Sequence, residues 1–262
     1  FILYMSPFTL NSKGVNLCPM ASEGCANSCL FESGFGGIYS SVKNGRMEKT
    51  EFYLSDRIGF LDKLVNEITK LEKKFKGSEY TLAIRLNGTS DISYEKQITS
   101  NGKTIFDTFP NIQFYDYTKN YTRFKKVLPK NYHLTFSRSE INHDISMDIL
   151  SKGHNVAMVF DKLPETYMGY KVINGDETDL RFLDDKNVIV GLKYKKMTGK
   201  VVTAFSVTPR VEKMCAHYGL EQQTTKIGFK EIASIMIKDD VLLGGEESGG
   251  IAVKGHIPER DG

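Results

Sequence analysis

The segment TLAIRLNGTSD, residues 81–91, decides the fold. A short β-rich run, Thr81 to Leu86, ends in the polar cluster Asn87-Gly88-Thr89-Ser90-Asp91. The same pattern recurs downstream. IQFYDY (112–117) leads into Thr118-Lys119-Asn120, YHLTFS (132–137) into Arg138-Ser139-Glu140, and NVAMVF (155–160) into Asp161-Lys162. Proline, lysine and short helical pieces separate the runs. Strands alternating with helices predict a parallel sheet with crossover connections. In such folds the ligand site lies at the carboxyl ends of the strands. Asn87, Asp91, Thr118, Lys119, Ser139 and Glu140 are therefore the candidate ligand rim. Loop polarity alone accounts for part of the pattern, because any strand-to-helix loop is polar.

Outward from this core, FILYM (1–5) reads as a short strand entering a glycine- and cysteine-rich loop, 11–37. Residues 57–75 read as a helix, with Ile58, Leu61, Val65, Ile68, Leu71 and Phe75 on one face and Gly77 ending it. VIVGLKYK (188–195) is a last strand of this module. The style then changes at the basic joint Lys195-Lys196-Met197-Thr198-Gly199-Lys200. VVTAFSV (201–207) is a strand. Thr208 and Pro209 start a helix that Gly219 terminates. FKEIASIMI (229–237) is a second helix, and VLLGG a returning strand. The expected class is α/β: a partial parallel barrel-like or open sheet with crossover helices over 1–195, followed by a partial α/β domain over 196–262.

The 262 residues carry 35 Lys and Arg against 32 Asp and Glu, a net charge of +3. The two signs are interspersed, so the basic stripe of a nucleic-acid binder is missing. No apolar run is long enough to span a bilayer and no signal peptide is evident, so a cytoplasmic protein is expected. The chain starts at Phe1 and stops after Arg260-Asp261-Gly262, and both ends are expected to be cut.

Three of the four cysteines cluster in Cys18-Pro-Met-Ala-Ser-Glu-Gly-Cys25-Ala-Asn-Ser-Cys29, separated by six and three residues. In a cytosolic chain such a cluster points to a metal or a cluster cofactor. Three protein thiolates leave one coordination position open, as in a catalytic zinc site or a substrate-binding iron–sulfur cluster. A structural zinc needs a fourth ligand, which His133, His143 or His154 could supply only through tertiary folding. A [4Fe-4S] cluster, zinc and plain buried thiols stand as the alternatives.

This first module resembles the phage gene product 88 family. The matching pieces are CPMASEGCANSCL (18–30), RLNGTSDISYEK (85–96), FYDYTKN (114–120), NYHLTFSRSE (131–140) and INGDETDLRFLDD (173–185). The resemblance implies no established activity. In outline, a cysteine loop followed by strand–helix units is similar to radical S-adenosylmethionine enzymes. Those carry a C-x3-C-x2-C loop after the first strand of a partial barrel, a spacing from which this chain departs. By the same likeness, Gly88 and Asp91 are candidates for contact with that cofactor.

The chain closes on VLLGGEESGGIAVKGHIPERDG, residues 241–262. Glu246, Glu247 and Ser248 sit between paired glycines, which let the backbone turn sharply near a ligand. Such a turn can hydrogen-bond several sugar hydroxyls, or it can simply carry solvated acids. The stretch 197–262 resembles the third domain of the phosphoglucomutase/phosphomannomutase family. The resemblance implies sugar-binding roles for Glu246 and Ser248, and a catalytic cation, Lys230, near the transferring phosphoryl group of a hexose phosphate. His256 and Arg260 fall in the following loop. The T-A-S-H-N-P-type serine loop of that family is absent from the 262 residues, as is a proper magnesium loop. Magnesium is expected only for a complete mutase. The segment Asn174-Gly175-Asp176-Glu177-Thr178-Asp179-Leu180-Arg181 is similar to the family's D-G-D-x-D-R magnesium loop, but reads as a solvated acidic turn.

The chain thus reads as a composite: a module of the gene product 88 type joined to the second half of a mutase third domain, by recombination, assembly or construction rather than as a natural bifunctional protein. Three functions compete. They are a cluster-containing enzyme, a phosphohexomutase-related isomerase fragment, and a non-catalytic mobile-element protein with structural cysteines.

Overall fold

The computed structural model describes residues 1–27, 29, 31, 40–194 and 199–253. The chain forms two compact units, 1–194 and 195–262.

The first unit is built on a seven-stranded sheet. Its strands are β1 (Ala83–Ile84), β2 (Gln113–Thr118), β3 (Tyr132–Ser137), β4 (Val156–Phe160), β5 (Thr166–Tyr167), β6 (Tyr170–Asn174) and β7 (Ile189–Lys193). The order across the sheet is β1-β2-β3-β4-β7-β6-β5. The pairs β1–β2, β2–β3, β3–β4, β4–β7 and β6–β7 are all parallel; only the hairpin β5–β6 is antiparallel. The expected α/β class with a parallel sheet holds. The amino terminus adds a further position beyond β1, where Ile2 bridges Arg85 in parallel. It forms this single bridge rather than a full strand. Gly88 makes the approach possible: a Cβ there would meet the Leu3 carbonyl at 2.8 Å and the Tyr4 ring at 2.6 Å.

Alternation along the strands separates two faces. Ile84, Leu86, Phe114, Tyr132 and Leu134 enter the main core, together with Phe60, Leu61, Leu64 and Ile68 of the helix Arg57–Phe75. That helix has the predicted bounds, and Asp56 caps it through the Gly59 amide at 2.9 Å. A helix over Ser40–Ser55 precedes it. The opposite face of the sheet carries Arg85, Tyr115, Tyr117, His133 and Thr135, with Tyr115 opposite His133 and Tyr117 opposite Thr135. The chain between β6 and β7 packs on this face. The Phe182 ring packs at a tilt against Tyr115, centroids 5.5 Å apart, and Asp179 pairs with Arg85 at 2.9 Å. Asp176 and Glu177 of the acidic turn are exposed, and Asp179 is partnered while 43% of its side chain stays in solvent. It also accepts the Tyr117 hydroxyl at 3.2 Å.

The second unit has a four-stranded sheet in the order β11-β10-β8-β9. The strands are β8 (Lys200–Ala204), β9 (Gln222–Thr225), β10 (Val241–Gly245) and β11 (Ile251–Val253). The first three run parallel and β11 is antiparallel. The helix Phe229–Lys238 packs on β10 through Ile232 and Met236. Its close approach requires Gly244, where a Cβ would stand 2.5 Å from Ile232. The helix Arg210–Tyr218 begins one residue later than predicted, with Pro209 at its cap, and ends on Gly219 in the left-handed conformation.

Candidate functional site

A cavity of about 700 Å³ opens at the carboxyl ends of the parallel strands in the first unit. This size suits a small organic ligand. All six predicted rim residues, Asn87, Asp91, Thr118, Lys119, Ser139 and Glu140, line it, and so do Cys18, Cys25 and Cys29. Parallel strand direction is the cause. The loops after β1, β2 and β3 must emerge on one edge, and the cysteine loop follows a segment paired beside β1 in the same direction. Arg85, Arg138, Tyr117 and Ser137 complete much of the wall. Among the described residues, no histidine lines this cavity.

The rim stands on a buried polar network. Asn87 donates from its backbone N–H to Asp116 Oδ1 at 2.7 Å and from Nδ2 to Asp116 Oδ2 at 3.0 Å. Its own Oδ1 accepts the Ser90 hydroxyl and the Ile92 amide. Asp116 is completely buried. Burial pushes its pKa up to about 6, against the opposing hydrogen bond from Tyr132 at 2.6 Å. Asp91 accepts the Thr118 hydroxyl at 2.7 Å, the Lys119 amide at 2.9 Å and Arg123 at 3.2 Å. Arg123 has no exposed side-chain surface and forks onto Glu95 at 2.7 and 3.0 Å. Neither Arg123 nor Asp116 stands out in the sequence as a site residue. An acid inside the β-rich run QFYDYT is the one local signal that a buried partner exists.

The cysteine loop is held from the rim. Glu140 accepts the Ser22 hydroxyl and the Gly24 amide, fixing the start of the short helix Glu23–Asn27 that carries Cys25. The Cys18 amide is held by Asn16 at 2.8 Å, and its thiol faces the Thr89 carbonyl at 3.7 Å. Burial, followed by Asp91 and the two other cysteines, pushes the Cys18 thiol up to about 12. Among the described residues, no three His, Cys, Asp or Glu side chains are drawn together closely enough to hold one metal ion. Nor is any helix among them long and apolar enough to cross a membrane.

In the second unit, β8, β9 and β10 share a carboxyl edge. Lys230 opens the helix after β9, and Glu246 to Ser248 form the tight turn between β10 and β11, so topology places both at that edge. Within the turn the Ser248 hydroxyl donates to Glu246 Oε1 at 2.7 Å, and Ser206, beyond β8, donates to Glu247. Gly249 takes a φ of 92° there. His256 and Arg260 lie outside the described residues.

The fold and its strand-end cavity define a parallel α/β module with a cysteine-bearing rim, followed by a second, smaller α/β unit. The chain belongs to the gene product 88 family, which it matches over residues 2–217. Residues 185–262 match the α/β/α domain III of phosphoglucomutase/phosphomannomutase. The two matches overlap across the boundary between the structural units. A phosphoglucosamine/phosphogalactosamine mutase of Sulfurisphaera tokodaii is 27% identical over 138 residues, covering 45% of this chain and 30% of the relative. The chain thus spans under a third of that enzyme. A solved structure described as a phosphomannomutase from Thermus thermophilus shares 40% identity over 25% of this chain and 15% of its own, with a TM-score of 0.24. The protein is a composite of a gene product 88 region and a mutase domain III region.

Proposed function

We propose that the first unit holds an iron–sulfur cluster on Cys18, Cys25 and Cys29 at the mouth of a small-molecule cavity. The observation that carries this reading is that all three cysteines line the same cavity as the ends of three parallel strands. The donor set fits: three thiols and, among the described residues, no histidine, with a coordination position left for a ligand. That no three His, Cys, Asp or Glu side chains among the described residues converge on one ion favours a cluster over zinc. A cluster separates its cysteines onto different irons, whereas zinc draws every thiolate to about 2.3 Å from one point. Bound there, the cluster would supply an open iron site for a ligand or a source of single electrons. The chain's own residues then divide the remaining work. Glu140 orients the loop, Asp91 and Asn87 fix the rim, and Lys119 and Arg138 offer donors into the cavity.

A second reading, in which the cysteines are structural, is favoured by one feature: Cys18 is half-buried with its thiol against the Thr89 carbonyl, and desolvation there pushes its pKa up to about 12. Metal binding must displace that proton. Anaerobic purification followed by iron and acid-labile sulfide analysis separates the two readings. The cluster reading expects near-stoichiometric iron and sulfide, abolished when the three cysteines are replaced by serine. Metal content indifferent to that replacement refutes it.

For the second unit we propose hexose-phosphate recognition without mutase turnover. Lys230, Glu246 and Ser248 share one sheet edge, as a sugar-phosphate contact would need. The phosphorylatable serine that the chemistry requires is missing from these 262 residues.

A further inference from the structure

Two acids and three cations line the cavity of the first unit, and they are unequally committed. Asp91 accepts three hydrogen bonds from Thr118, Lys119 and Arg123. Glu140 has both oxygens engaged by Ser22 and Gly24. Arg85 is paired with Asp179 and lies over the Tyr117 ring, with its buried Nε left unsatisfied. The two remaining cations are different. Lys119 gives one hydrogen bond, to Ser137 Oγ at 2.8 Å, from an ammonium with three donors. The Arg138 guanidinium has no hydrogen-bond or ion-pair partner among the described residues, and its buried Nε is unsatisfied. The neighbouring Ser139 hydroxyl is also buried without a partner. The backbone beneath them is fixed: the Arg138 amide donates to Ala157 O at 2.9 Å and the Ser139 amide to Asn142 Oδ1 at 2.7 Å.

Unsatisfied buried donors are costly, and a native structure that keeps them commonly reserves them for a ligand. We propose that Lys119, Arg138 and Ser139 form a subsite for the anionic group, carboxylate or phosphate, of the molecule that enters this cavity. A guanidinium fork beside an ammonium and a hydroxyl matches the planar or tetrahedral oxygens of either group. The proposal rests on reading the cavity as the ligand site, but it does not require the cluster.

The test is isothermal titration of the full chain with inorganic phosphate and, separately, with succinate, at ionic strength held constant with chloride. At least one anion binds saturably. Arg138→Gln and Lys119→Gln each weaken it by about tenfold or more, and Arg138→Lys recovers part of the loss. Phosphate alone identifies a phosphorylated ligand, succinate alone a carboxylate, and both the shared chemistry. Binding persists in Lys230→Gln, which excludes the second unit as its seat. It also persists when Cys18, Cys25 and Cys29 are serine, because the subsite does not use the thiols; wild-type protein that carries no iron and still binds the anion overturns the cluster and leaves this subsite standing. If Arg138→Gln does not fold, Lys119→Gln decides. Absence of saturable binding, equal affinity in wild type and both charge variants, or loss in Lys230→Gln instead overturns the proposal.

Discussion

Glu140 accepts the backbone N–H of Gly24 at 2.9 Å, so that a carboxylate just beyond β3 fixes a loop more than a hundred residues earlier in the chain. A Cβ at Gly24 would lie 2.8 Å from Glu140 Oε1, so a side chain there would push the carboxylate out of this contact. The pair determines where Cys25 stands relative to the rim. Residues that orient metal ligands commonly alter metal affinity by about 10–100-fold. On the cluster reading proposed above, Glu140→Ala is therefore expected to release iron to a chelator that much more readily, with little change in thermal unfolding. Unchanged iron retention would show that the loop holds itself.

The parallel strands and their polar ends were legible because β-rich runs and short polar loops are local signals. The helix Arg57–Phe75 was legible because its apolar residues repeat at helical spacing. The helix Ser40–Ser55 was not. Its buried positions are Arg46, Thr50 and Tyr53, so its inward face is mostly polar. Thr50 accepts the Ser6 amide at 2.8 Å and Arg46 donates to the Phe31 carbonyl, contacts that no periodicity reveals. The strand Gln222–Thr225 escaped for a similar reason, being a polar edge strand. At the site, the rim residues could be read from position alone. The buried partners Arg123 and Asp116 could not, because a charge signals burial only once its counter-ions from other elements are in place.

Arg123 bridges Asp91 and Glu95, whose side chains are 11% and 10% exposed. Arg123→Met would leave both carboxylates poorly solvated and unpaired, at a cost of about 3–5 kcal/mol. Urea unfolding should report this as a much lower midpoint, together with a disordered Asp91 rim. Removing the exposed Lys70–Glu67 pair by Lys70→Ala should leave the midpoint nearly unchanged. Similar small effects from both variants would contradict the buried network.

Two groups, the buried Asp116 and the half-buried His133, give opposite pH dependences. Burial, followed by the charge of Arg181, pushes His133 from 6.5 down to about 4. The folded state favours its neutral form, so its stabilising contribution is complete above 6.5 and lost as pH falls towards 4, by about 3 kcal/mol in all. Asp116, raised from 3.8 to about 6, contributes fully below 3.8 and loses that contribution as pH rises towards 6. Between pH 4 and 6 the two trends oppose each other. His133→Gln should make the protein less sensitive to acid in this window, and Asp116→Asn more sensitive. Urea titrations at a series of pH values measure both, and parallel profiles for the two variants would be inconsistent with this assignment.

The sharing of one sheet edge by Lys230, Glu246 and Ser248 does not make a mutase. Transfer between two sugar hydroxyls needs a nucleophile that carries the phosphoryl group between them, and no T-A-S-H-N-P-type loop occurs in residues 1–262. Rigid support for recognition is also limited. The core behind these loops is small, centred on Val202, Ile232 and Val241, while Phe205, Ile237 and Ile251 remain exposed. Catalytic groups must be held to about half an ångström, which requires rigid support behind them. Glucose 1-phosphate, supplied with its bisphosphate activator and magnesium in a coupled assay, is therefore expected to give no sustained turnover. Weak binding of the sugar phosphate that disappears in Glu246→Ala fits a recognition remnant. Turnover that depends on Glu246 would instead mean that another residue of this chain carries the phosphoryl group, and the reading of the second unit would fall.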